Sequence, residues 1–114
     1  MIHYGMTKTA ILCVSRGLAE LTKGTDVTVN AVLPGPTWSE ANAKSIEKTA
    51  HEKGILVEQA QADFFATVRP TSLLQRWATN EEVANLITYV ASPLSAATNG
   101  APLRVDGGVV LSAV

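Results

Sequence analysis

One cysteine is all that the 114 residues contain, so no intramolecular disulfide can form. Flanked by Ile11, Leu12 and Val14, Cys13 is expected to be a reduced, buried thiol, and the expected location is cytoplasmic. Charge of one sign is missing too. The 9 Lys+Arg and 10 Asp+Glu give a formal net charge of −1, and the basic residues stand singly from Lys8 to Arg104. That leaves no stripe to neutralise phosphates, which argues against nucleic acid as a partner. No apolar run approaches the ~18 residues of a membrane span, and the N-terminus lacks the basic-then-apolar order of a signal peptide, so no membrane role is expected. Internal repeats, low-complexity tracts and linker-like stretches are also absent. With 46% apolar residues the chain reads as one domain over residues 1–114, small enough to support a single core.

What is present reads as an α/β order. Between Tyr4 and Leu21 there is no proline, Ile11, Val14, Leu18 and Leu21 recur at helical spacing, and Lys23-Gly24 supplies a helix stop. Val27 to Leu33 reads as a strand buried on both faces, ended by Pro34-Gly35-Pro36. Thr37-Trp38-Ser39-Glu40 fits a capping box that opens a polar helix running to about Gly54, and a second short helix is expected from Val57 to Ala66. Thr79-Asn80-Glu81-Glu82 is another such box, opening a helix with Val83, Leu86, Ile87 and Val90 on one stripe before Pro93. Ala101 to Val105 reads as a strand entering the Asp106-Gly107-Gly108 turn. Helix, strand, helices, strand implies parallel strands, and two strands are too few to complete such a sheet.

Tyr4 and Lys8 carry the chemistry. Four residues apart on a helix, their side chains leave one face and reach the same small molecule. A phenol near pKa ~10 is a poor proton donor and acceptor at neutral pH until a cation stabilises its phenolate, and an ammonium one turn away is such a cation. The pair therefore suits general acid/base work on a carbonyl or an alcohol. At ~5 Å the Coulomb gain is only ~0.8 kcal/mol in bulk water, against ~3 kcal/mol at an effective dielectric near 20. Walls that exclude water are required. Taken alone the spacing is weak, because chance gives a chain of this composition such a pair roughly one time in ten. The following strand adds weight: it ends in Pro34-Gly35, and the carboxyl end of a strand is where open α/β sheets bind ligands.

Four segments in order, Tyr4-Gly5-Met6-Thr7-Lys8, Val29-Asn30-Ala31-Val32-Leu33-Pro34-Gly35-Pro36-Thr37, Arg76-Trp77 before Glu81-Glu82-Val83-Ala84, and Arg104-Val105-Asp106-Gly107-Gly108, resemble the short-chain dehydrogenases/reductases. The resemblance implies a partial Rossmann-like, doubly wound parallel sheet, of which this chain supplies the last two strands and the helices around them. It implies NAD or NADP as cofactor, Tyr4 as the catalytic acid/base, and Lys8 as the group that holds the nicotinamide ribose and tunes Tyr4. Pro34, Gly35 and Thr37 would line the nicotinamide and phosphate region, and residues 38–70 would be the helices of a substrate lid. The family's Gly-rich loop, Asn-Ala-Gly segment and catalytic Ser lie upstream of its Tyr, whereas three residues precede Tyr4 and no G-x-x-x-G-x-G occurs. The chain therefore reads as the C-terminal half of such an enzyme, inactive by itself.

Two functions stand against each other. In one the chain, alone or as a homo-oligomer, oxidises or reduces an unnamed small carbonyl/alcohol substrate. In the other it is a non-catalytic truncated module that folds by self-association or by pairing with the missing half, because the strand from Val27 to Leu33 offers an unpaired apolar edge. Self-association is expected in either case. Thr37 has a second reading as a helix cap paired with Glu40. Trp38 and Trp77 are expected to pack under loops, His3 to be an end residue, and His51 to be solvated.

Overall fold

A computed structural model describes residues 2–113. In chain order the elements are α1 (Ile2–Glu20), β1 (Ala31–Pro34), α2 (Glu40–Lys53), α3 (Val57–Thr67), α4 (Asn80–Val90), a 3-10 turn (Pro93–Ser95) and β2 (Pro102–Val105). β1 and β2 form one two-stranded sheet. Ala31 N–H donates to Ala101 O and Gly35 N–H to Val105 O, so partner numbers rise together and the strands are parallel, as the α/β order implies. The described residues gather into two compact units, one of residues 2–33 with 85–104, the other of residues 34–84 with 105–113.

In the first unit α1 ends at Glu20, and Gly24 takes the left-handed φ of 78° after it. The expected strand from Val27 is shorter than its sequence suggests. Residues 27–30 lie outside the ladder: Asn99 Oδ1 accepts from Val29 N–H at 2.8 Å and Val29 O accepts from Gly100 N–H at 2.9 Å, while the Asn30 side chain bonds the facing backbone, donating to Thr98 O at 2.8 Å and accepting from Ala101 N–H at 3.1 Å. Val27 is exposed rather than buried, and β1 itself is only partly buried. Cys13 is likewise exposed, contrary to the expected buried thiol.

The second unit is organised around aromatic packing. Ile46, Ala50, Ala60, Phe65 and Trp77 are buried together, with Trp38 and Phe64 packed against them. Phe64 stacks on Trp77 at 4.5 Å between centroids, and Trp38 and Phe65 each approach that indole at 5.5 Å. Both tryptophans thus pack as expected. Helix α2 is capped by Ser39, whose side chain accepts from Asn42 N–H, and it ends in left-handed Gly54, whose N–H reaches back to Ala50 O and His51 O. The Thr37 and Glu40 box does not form. Thr37 lies two residues before the cap, and its hydroxyl donates to Gly35 O at 3.0 Å instead. At the head of α4 the predicted box is present: Thr79 N–H donates to the Glu82 carboxylate at 2.9 Å and Glu82 N–H to the Thr79 hydroxyl at 3.1 Å. His51 is exposed.

Candidate active site

Tyr4 and Lys8 are brought together on α1, with Lys8 Nζ 5.3 Å from the centroid of the Tyr4 ring. This is the i,i+4 spacing at work, with the ammonium over the ring as in cation–π pairs. Thr7, on the same turn, donates its hydroxyl to Tyr4 O at 2.8 Å. Among the described residues neither the Tyr4 hydroxyl nor Lys8 Nζ has a hydrogen-bond partner, so both polar ends remain open to a ligand. Tyr4 is 50% exposed. The shielding from water that acid/base work demands is not supplied by α1.

Pro34, Gly35 and Thr37 form one turn in the second unit. The sequence suggests that Gly35 leaves room for a ligand, but the room is taken by the chain itself. A Cβ there would lie 2.7 Å from Asp106 Cα and in contact with Asp106 O, so glycine is required by the passage of residue 106. The Asp106 carboxylate in turn accepts from Gly108 N–H at 3.0 Å and Val110 N–H at 3.1 Å, holding the left-handed glycines 107 and 108 in the turn after β2. Thr37 braces the same bend by its bond to Gly35 O, and its hydroxyl keeps lone pairs free to accept.

Taken one by one, the side chains that the resemblance assigns to catalysis and cofactor are of a suitable chemical type: a phenol, an unpaired ammonium and a hydroxyl with free acceptor capacity. Pro34 and Gly35 contribute shape alone. No glycine-rich loop for a pyrophosphate occurs in these residues. No group of His, Cys, Asp and Glu among the described residues is arranged to hold a metal ion, and no helix among them is long and apolar enough to cross a membrane.

The most perturbed ionisable pair lies away from Tyr4 in sequence. Arg76 makes two bonds to the Glu82 carboxylate, at 2.7 and 2.9 Å. Hydrogen bonding from Arg76, then from Thr79 N–H, holds Glu82 down at about 2, and the same bond raises Arg76. Its partners tie the pair to the α4 cap, which makes its role structural.

A family model described as enoyl-(acyl carrier protein) reductase matches residues 1–110. The chain belongs to the short-chain dehydrogenases/reductases. An uncharacterised oxidoreductase of Bacillus subtilis, YvrD, is 53% identical over 112 residues, which is 98% of this chain and 43% of that protein. A short-chain dehydrogenase family protein of Francisella tularensis shares the fold at a TM-score of 0.77 and 28% identity, over 93% of this chain and 42% of its own. L-sorbose reductase of Gluconobacter frateurii, solved with NADPH and L-sorbose, superimposes at a TM-score of 0.85 over 96% of this chain and 40% of its own; at 23% identity this likeness shows the fold alone. The chain therefore spans about two-fifths of the length of the relatives it matches.

Proposed function

We propose that this chain carries the acid/base element of an NAD- or NADP-dependent oxidoreductase acting on a small carbonyl/alcohol substrate, with Tyr4 and Lys8 as its catalytic residues. The observation that carries the proposal is the pairing of an unpartnered phenol and ammonium one turn apart on α1, in a chain of this family. In reduction, the Tyr4 hydroxyl gives its proton to the carbonyl oxygen; in oxidation, the Tyr4 phenolate takes the alcohol proton. A bound dinucleotide supplies or accepts the hydride. Lys8 donates to the nicotinamide ribose and stabilises the Tyr4 phenolate, while Pro34, Gly35 and Thr37 line the nicotinamide and phosphate region. Residues 38–70, mostly α2 and α3, are the substrate lid of a Rossmann-type domain to which residues 1–114 contribute the C-terminal part. An unpaired, exposed Cys13 suits a reducing, cytoplasmic setting.

The test appends this chain to the remaining length of the Bacillus relative and follows NADH- and NADPH-linked reduction of a panel of small ketones and aldehydes. Tyr4→Phe is expected to lower turnover by about 10²- to 10⁴-fold while sparing cofactor affinity, since it removes the proton and keeps the ring. Lys8→Ala is expected to weaken both. Equal losses of affinity from the two substitutions would contradict these separate roles.

A second reading, a non-catalytic module that self-associates, is favoured by α1. Ile11, Val14 and Leu18, with Leu21 just beyond, are all exposed, and so large an apolar display on one helix is characteristic of an association surface. Homo-oligomers are expected under either reading. Sedimentation of the 114-residue chain tests this, and a soluble, cooperatively folding monomer would contradict it.

A further inference from the structure

Of the asparagines, Asn99 alone is followed by glycine; Asn30, Asn42, Asn80 and Asn85 precede alanine, alanine, glutamate and leucine. That pairing has its own chemistry. With no Cβ, Gly100 leaves its backbone nitrogen unshielded toward the preceding side-chain amide and lets the backbone between them turn freely. Asn99 is exposed, and Gly100 has the left-handed φ of 69°, a conformation that favours glycine. The fold thus keeps a thermolabile dipeptide at the surface.

Its reactive atoms are all engaged by other segments of the first unit. Asn99 Oδ1 accepts from Val29 N–H at 2.8 Å, Asn99 Nδ2–H donates to the Thr22 hydroxyl at 3.0 Å, and Gly100 N–H donates to Val29 O at 2.9 Å. We propose that Asn99 is a modification site, deamidated by attack of the Gly100 nitrogen when the clasp to Thr22 and Val29 opens. Gly100 N bonds to Asn99 Cγ and the Cγ–Nδ2 bond breaks, the Gly100 proton leaving with Nδ2 as ammonia. Water from solvent then opens the cyclic imide at either carbonyl, giving an aspartyl or an isoaspartyl unit with no change of oxidation state.

The product does not restore the clasp. The Thr22 hydroxyl donates its one proton to Ala19 O at 2.9 Å, so toward position 99 it only accepts. A carboxylate there has no proton to give it, and the extra main-chain methylene of an isoaspartyl unit displaces Gly100 N–H from Val29 O. Conversion is therefore one-way, and it marks chains whose clasp has opened. The site does not depend on Tyr4, Lys8 or the proposed reaction.

The test incubates the 114-residue chain in mildly alkaline buffer, with and without guanidinium chloride, and follows acid formation at each asparagine by peptide mass spectrometry and isoaspartate by enzymatic methylation. The denatured chain is expected to convert Asn99 ahead of the other asparagines, and the native chain to convert it more slowly by about tenfold or more. Thr22→Val is expected to raise the native rate about fivefold, the loss of one hydrogen bond, while Thr22→Ser leaves it unchanged. Equal rates with and without denaturant, or an unchanged rate in a Thr22→Val chain that keeps its helical circular dichroism, would overturn the guarding clasp. Conversion of another asparagine ahead of Asn99 in denaturant would overturn the site. Asn99→Asp, which copies one product, is expected to lower the denaturant midpoint, and an unchanged midpoint would overturn the loss of the clasp.

Discussion

Gly35 shows how a residue can be demanded by the fold where a ligand looks like the obvious reason. Its hydrogen atom faces the backbone of Asp106, and nothing larger fits without moving main chain. Gly35→Ala is therefore expected to destabilise the chain by about 1–3 kcal/mol, read as a fall in the denaturant midpoint. An unchanged midpoint would contradict the packing. Glu82 makes a prediction of a different kind. Its carboxyl is held at about 2, below the usual 4.5, chiefly by hydrogen bonding from Arg76. The stability it contributes is complete above about pH 4.5 and is lost as pH falls from there through about 2. Melting temperatures of the native chain and of Glu82→Gln should therefore differ at neutral pH and converge across that interval. Curves that stay parallel to pH 2 would contradict the assignment.

Among the elements, the sequence is most legible where both partners of a contact are close in the chain. Thr79 and Glu82 are three residues apart, and their reciprocal bonds at the head of α4 are those the pattern predicts. Thr79→Ala is expected to cost about 1 kcal/mol in thermal or chemical unfolding, with loss of amide protection confined to the first turn of α4. The Thr37 reading failed for a local reason: Ser39, two residues on, stands nearer the helix and takes the cap, leaving Thr37 to brace the Gly35 bend. The start of β1 was not legible at all. Val27 to Leu33 has the alternation of a strand, but the side chain that takes up the Val29 N–H ahead of the ladder comes from Asn99, far away in sequence. Nothing in the local pattern encodes that partner. The Trp77 Nε1–H, buried without a hydrogen-bond partner among the described residues, is hidden for a similar reason, since a buried tryptophan is readable from context and the satisfaction of its nitrogen is not.

At the scale of the whole molecule, the 114 residues span about two-fifths of the length of the relatives they match. The spacing of Tyr4 and Lys8 is legible in the sequence, and the structure sets the two side chains together. Its solvent exposure was not readable, because shielding is a property of surrounding elements and not of a helix. We propose that these 114 residues carry an acid/base pair but do not by themselves complete a dinucleotide site. Nicotinamide fluorescence of NADH and NADPH, titrated with the 114-residue chain beside the same chain joined to the remaining length of the Bacillus relative, tests that division most directly. Saturable binding by the joined protein, with none by the 114 residues up to millimolar cofactor, is the predicted result. Saturable binding by the 114 residues alone would contradict it.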